Sequence, residues 1–165
     1  MSLIDELPYL TVPEMQYQVG LTPVAAAYLL YRQPGLFLGS LRPTDELLWH
    51  AWHIITTPKV FIYAGTREMK GAALTEKVTV KVTYRHYTRS RELMNAYERI
   101  LWSNTIETEL SRNIYTEILE SNTPTQVVLD WQERLGLSED HLNIASYVRT
   151  FYNRRNADHP FTHSP

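Results

Sequence analysis

Cysteine is absent from the 165 residues. That excludes a disulfide framework, a thiolate nucleophile, cysteine-ligated zinc and iron–sulfur chemistry together. Long apolar runs are missing too: Val24 to Tyr31 and Leu36 to Leu38 fall far short of the roughly 20 residues that cross a bilayer, so no membrane partner is expected. The first residues place Asp5 and Glu6 ahead of any basic side chain and hold no apolar stretch ending in small residues, unlike a secretory signal or an organellar presequence. Neither sign of charge dominates. The net charge is −2, with 7 basic against 7 acidic residues in positions 1–82 and 9 against 11 in 83–165, so bulk electrostatics give no pull toward nucleic acid. There is no Gly-x-Ser-x-Gly, no Gly-rich phosphate loop, no His-Glu-x-x-His and no internal repeat. With no catalytic motif to place, the expectation is a protein that is not an enzyme and takes no cofactor.

What is present describes a packed chain. Apolar residues make up 44% and charged residues 21%, near the averages of globular proteins, and the length suits one domain with its own core. The expected organisation is a single domain over 1–165, with an extended lead-in at 1–20 interrupted by Pro8 and Pro13, and a polar tail at 156–165. The 11 Tyr and 4 Trp are the unusual feature; such side chains serve cores and protein interfaces alike.

The fold class expected is α+β: a small antiparallel β ribbon or sheet, with strands near 60–64 and 77–87, packed with about five helices and a mostly helical second half. Thr22-Pro23 starts a helix that Pro34-Gly35 ends near Gln33, and Thr44 with Asp45 and Glu46 starts another that stops before Pro58. The pattern then alternates. Val60 to Tyr63 is a short β run, while Lys77 to Arg85 sets Val78, Val80, Val82 and Tyr84 against Lys77, Thr79, Lys81, Thr83 and Arg85. The connection from Ala64 to Glu76 is long for a hairpin and reads as a projecting loop. Leu36 to Leu38 supplies a third strand if it pairs. From Ser90 the chain turns helical, with Leu93, Tyr97, Ile100 and Leu101 on one face and Ile106, Leu110, Ile114 and Ile118 on a stripe out of phase with it, which predicts a kink or break near Ser103 to Thr105. Thr123-Pro124 opens a helix that Gly136 stops, and Ser138 is read as the cap of the last one, carrying Leu142, Ala145, Val148 and Tyr152.

Three groups of residues invite a functional reading. Glu46, His50 and His53 share one helical face, and imidazole with carboxylate is a zinc or iron set; but Trp49 and Trp52 interleave with them and no second helix supplies a Glu-x-x-His partner, so no metal is assigned. Thr125 to Arg155 resembles a helix-turn-helix through Gln-Glu-Arg-Leu-Gly-Leu-Ser at 132–138. Gln132 stands there where a small residue is usual, Glu139 and Asp140 would face phosphates, and Arg149, Arg154 and Arg155 lie far along the second helix. Finally, Lys77, Lys81 and Arg85, continuing through His86, Arg89 and Arg91, form a basic stripe that could track a phosphate backbone. Lysines on a strand face also keep sheets soluble and discourage edge pairing.

An incomplete ribbon, a long inter-strand loop and abundant Tyr and Trp without an active-site motif suit a surface made for neighbours. The expected function is a non-catalytic structural subunit of a multi-chain assembly, a homo-oligomer or part of a larger complex. Its expected setting is the cytoplasm or a virion, specifically the head–tail joint or tail completion of a bacteriophage. The alternative is a nucleic-acid-binding protein, regulatory or packaging-related, using the basic strand face or the carboxy-terminal helices.

Overall fold

The computed structural model of the protein describes residues 14–39, 43–56, 73–83 and 93–158. The β run expected at 60–64, most of the 64–76 connection, the end of the strand beyond residue 83 and the outermost parts of both termini lie outside the described residues. The chain forms two compact units, Met1–Thr105 and Ile106–Pro165.

The first unit is α+β. Strand β1 (Met15–Leu21) leads into helix α1 (Pro23–Arg32), short strand β2 (Phe37–Leu38), helix α2 (Glu46–Thr56) and strand β3 (Glu76–Val82). Thr22 caps α1 as its sequence requires: its Oγ1 accepts from the Ala25 N–H at 3.3 Å, with Pro23 in the first turn. The second cap falls one residue later than expected. Asp45, not Thr44, caps α2, its Oδ1 accepting from the N–H groups of Leu47 and Leu48 at 2.9 and 3.1 Å, because a carboxylate at a helix N-terminus also gains from the dipole. Its other oxygen takes Arg32 Nη2 at 3.1 Å and Gln33 Nε2 at 2.9 Å. One side chain thus fastens the end of α1 to the start of α2.

The sheet is three-stranded and mixed, in the order β1-β3-β2. β3 is central: it pairs antiparallel with β1 from Met15↔Val82 to Leu21↔Glu76, and parallel with β2 through Phe37↔Lys81 and Leu38↔Val82. The residues read as the end of an extended lead-in are therefore a strand, and Leu36 to Leu38 does supply the third. Partners in register share a face, so Tyr17, Val19, Val78, Val80, Val82 and Leu38 line one buried side. Leu21, Leu29, Tyr28, Leu47 and Ala51 complete this core, each fully buried aliphatic contributing about 1.5–3 kcal/mol.

Helix α3 (Ala96–Ser121) begins in a reciprocal cap at Asn95; Ser90 lies outside the described residues. Asn95 Oδ1 accepts from the Glu98 N–H at 2.8 Å, and Glu98 Oε1 from the Asn95 N–H at 3.0 Å. α3 runs through Ser103 to Thr105 without a break. Buried positions instead recur every fourth residue, at Glu98, Trp102, Ile106, Leu110, Ile114 and Ile118, and a spacing of four turns the stripe by roughly 40° per step. That slow winding is what two out-of-phase faces look like in sequence. Tyr97, Ile100 and Leu101 consequently miss the core, and Trp102 enters it, donating Nε1–H to the Leu47 carbonyl at 3.0 Å. Ser103 is buried and accepts the Thr22 N–H at 3.3 Å.

The second unit is helical. Besides the end of α3 it holds α4 (Pro124–Leu135) and α5 (Ile144–Asp158). α4 buries Val127, Val128 and Trp131 and ends on Gly136, whose φ of 63° lies in the left-handed region. The Leu137 N–H returns to Gln132 O and the Gly136 N–H to Glu133 O, the paired closure that glycine makes inexpensive. α5 starts later than Ser138 predicts: Asn143 is the cap, its Oδ1 accepting from the Ser146 N–H at 2.9 Å. Among the residues of α5 whose burial is described, Phe151 is the buried one, Ala145 and Tyr152 are exposed, and Leu142 is buried in the preceding turn.

Candidate functional site

β3 is flanked by β1 along its whole length and by β2 at Lys81 and Val82, and its polar residues Lys77, Thr79 and Lys81 are exposed on one sheet face. The Cα register builds that face in rows. Gln16, Lys81 and Phe37 lie abreast across the three strands; Gln18 and Thr79 come next, joined by a hydrogen bond from Nε2 to Oγ1 at 2.9 Å; Gly20 and Lys77 follow. Phe37 is 49% exposed although aromatic. Gly20 is a close-approach glycine: a Cβ there would stand 3.0 Å from both Arg99 Nη1 and the Leu74 carbonyl oxygen. The guanidinium of Arg99, reaching in from α3, therefore lies over the row that Lys77 shares. Nothing in the spacing of the basic stripe points to Arg99; only the bare Gly20 opposite Lys77 makes room for it.

Few acids answer these cations. Lys81 Nζ comes to 4.0 Å of Glu14 Oε1, both about half exposed, an arrangement worth little in water. Lys77 forms no ion pair among the described residues, and Arg99 donates Nε–H to its own helix at Asn95 O, at 3.4 Å. Arg85, Arg89 and Arg91 lie outside the described residues, as does His86.

On α2 the structure brings together only part of the metal candidate. Glu46 Oε1 and His50 Nε2 are 4.0 Å apart, whereas the His53 ring stacks on Trp49 with centroids 5.2 Å apart, and Trp49 meets His50 edge-on at 4.9 Å. No three His, Asp or Glu among the described residues are arranged to hold a metal ion. The histidines pack on a half-buried aromatic, a combination the interleaved tryptophans already suggest.

The α4–α5 hairpin departs from helix-turn-helix geometry. Its connection runs from Gly136 to Asn143, longer than the three or four residues such a turn allows. Gln132, at the position where that motif wants a small side chain, fastens this longer loop, donating from Nε2 to Leu142 O at 2.6 Å and Glu139 Oε2 at 2.8 Å. Glu139 Oε1 accepts the Ile144 N–H at 2.8 Å. Arg149, Arg154 and Arg155 are exposed on α5, and their positions spread around the helix at about 100° per residue instead of forming one face. Arg154 stands over the Tyr115 ring at 4.7 Å.

One further polar cluster sits in the helical unit. The hydroxyls of Tyr147 and Ser111 are 3.1 Å apart, and the Tyr147 ring lies 5.2 Å from that of Tyr115. Burial pushes the Tyr147 phenol above its ordinary value of 10.0; the Ser111 hydrogen bond opposes this, and the charges of Tyr115 and Glu107 add to it. A phenol held neutral in this way is a structural hydrogen-bonding group at neutral pH. Trp131 Nε1–H donates to Glu117 Oε2 at 3.0 Å, and Arg134 both pairs with Glu117 at 3.5 Å and covers the Trp131 ring at 4.8 Å.

No protein-family model, curated protein or solved structure matches the chain. No helix among the described residues is long and apolar enough to cross a membrane.

Proposed function

We propose that this protein is a non-catalytic structural subunit of a multi-chain assembly, in the cytoplasm or in a virion, with the head–tail joint or tail completion of a bacteriophage particle as its specific setting. The observation that carries the reading is β1. It is seven residues long, pairs with β3 alone among the described residues, and presents its second edge as a template for another strand. Its sequence is self-complementary when laid antiparallel to a second copy about Gln18: Tyr17 meets Val19 and Met15 meets Leu21, apolar on apolar, with Gln16, Gln18 and Gly20 on the other face. Met15, on this strand, also leaves a large apolar side chain 45% exposed. A chain without cysteine is also suited to assembly in a reducing compartment.

Light scattering of the nuclease-treated protein over about a tenfold range of concentration tests the proposal, since mass action governs any assembly of this kind. A ring-sized or concentration-dependent oligomer is expected, and replacing Gln16 and Gln18 together with Lys should dissociate it while far-UV circular dichroism stays unchanged. A monomer of invariant mass, or an oligomer indifferent to the double substitution, would remove β1 pairing from the proposal.

A further inference from the structure

Lysines on a strand have an ordinary explanation that the pairing removes for Lys81. Cations on an edge strand prevent unwanted pairing, but at Lys81 β3 is paired on both sides, with Gln16 of β1 and Phe37 of β2, so Lys81 guards no edge; Lys77 lies beyond the reach of β2, where β3 pairs with β1 alone among the described residues. Solubility alone does not account for the face either, because Phe37 stands exposed in the same row as Lys81. Two cations that form no ion pair among the described residues flank Gly20: Lys77 is its partner in register, and the Arg99 guanidinium stands 3.0 Å from where its Cβ would be. A third cation, one exposed aromatic ring and the donors of Gln18 and Thr79 complete the face.

We propose that the polar face of the sheet binds single-stranded nucleic acid, with Lys77, Lys81 and Arg99 taking successive phosphates and Phe37 stacking on a base. Residues on one face of a strand are about 6.6 Å apart at 3.3 Å per residue, so Lys77 and Lys81 stand roughly two such steps apart, a spacing a flexible sugar–phosphate backbone can follow. Phosphates need cations without competing carboxylates, and among the described residues Glu14 is the sole acidic group paired to this face, at its far end from Arg99. Phe37 decides between strand forms. A duplex buries the faces of its bases, whereas an unpaired strand offers them to an aromatic ring, and a cationic track beside such a ring is how single strands are held without sequence preference. An acidic peptide would use the lysines but has no use for the ring. The inference stands apart from self-assembly, since it uses the open face of the sheet and not its edge.

Fluorescence anisotropy of a labelled oligothymidylate against the full-length protein, repeated over a salt series, is the test. Binding should weaken with salt, and Lys77→Gln with Lys81→Gln should reduce the slope of log K against log salt by roughly 1.4, at about 0.7 for each phosphate no longer neutralised. Phe37→Ala should weaken binding about tenfold and leave that slope unchanged, the effect of removing one stacked base. All three positions are exposed, so circular dichroism of the variants should match the parent. No binding at low salt, a slope indifferent to the lysines, or full affinity in Phe37→Ala would overturn the proposal. So would polyglutamate competing as well as the oligonucleotide, which would make the face a general polyanion surface.

Discussion

At the scale of single residues, Asp45 shows how much one carboxylate can organise. Replacing it with Ala removes the α2 cap and the link to Arg32 and Gln33. The expected loss is about 1–2 kcal/mol, seen as a melting temperature lower by roughly 2–4 °C for each kcal/mol. Asp45→Asn, which keeps the cap and drops the charge, should lose less than half as much. Gly136→Ala forces a Cβ into the left-handed region and should cost about 1–2 kcal/mol by urea denaturation, with no effect elsewhere, because open space surrounds that position. Tyr147 makes a pH prediction. Its folded pKa lies above the unfolded value of 10.0, so the folded protein holds the proton more tightly. That contribution is complete below pH 10 and is lost as pH rises through the folded pKa. Tyr147→Phe should therefore flatten the alkaline decline in stability, while loss of the Ser111 hydrogen bond lowers stability at neutral pH by about 0.5–1.5 kcal/mol.

At the scale of elements, the sequence carries type better than boundaries. Val78, Val80 and Val82 alternating with Lys77, Thr79 and Lys81 place β3 correctly, and Thr22-Pro23 and Gly136 bound their helices, because each signal is local: a side-chain period, a cap, a left-handed turn. The starts of α2 and α5 fall later than Thr44 and Ser138 suggest. Both are reasonable caps taken singly, but Asp45 and Asn143 take the first N–H groups instead, and Asp45 also holds Arg32 and Gln33, partners that no local rule supplies. The sheet is least legible, since the strand that β3 joins most fully lies in a stretch with two prolines upstream. The candidate site follows suit: Lys77 and Lys81 are readable, whereas Arg99 and Phe37 join them only through register. Helix α3 offers a clean contrast. Leu110→Ala or Ile114→Ala, at fully buried positions, should each cost about 2–5 kcal/mol in denaturation. Leu119→Ala, at 71% exposure, should stay within about 0.5 kcal/mol.

At the scale of the whole molecule, α3 is the element both compact units hold in common, contributing Trp102 to the core of one and Ile106 to Ile118 to that of the other. A helix that cannot melt in one unit without fraying into the other should couple their unfolding. Tryptophan fluorescence and far-UV circular dichroism are expected to report one coincident transition in urea; two separated transitions would show that the units unfold independently.

The central position of β3 has a consequence in time as well as in space. Gln18 and Thr79 are hydrogen-bonded across 61 residues of chain, so both outer strands leave the ribosome well before the strand that holds them. At about 5–20 residues per second the wait is on the order of 3 to 12 seconds. Throughout it β1 has neither edge satisfied, and on a polysome the nearest matching strand belongs to the neighbouring nascent chain. Slowing synthesis between residues 21 and 76 should therefore favour association before folding, and synonymous recoding of that stretch is a lever on the yield of correctly closed sheets.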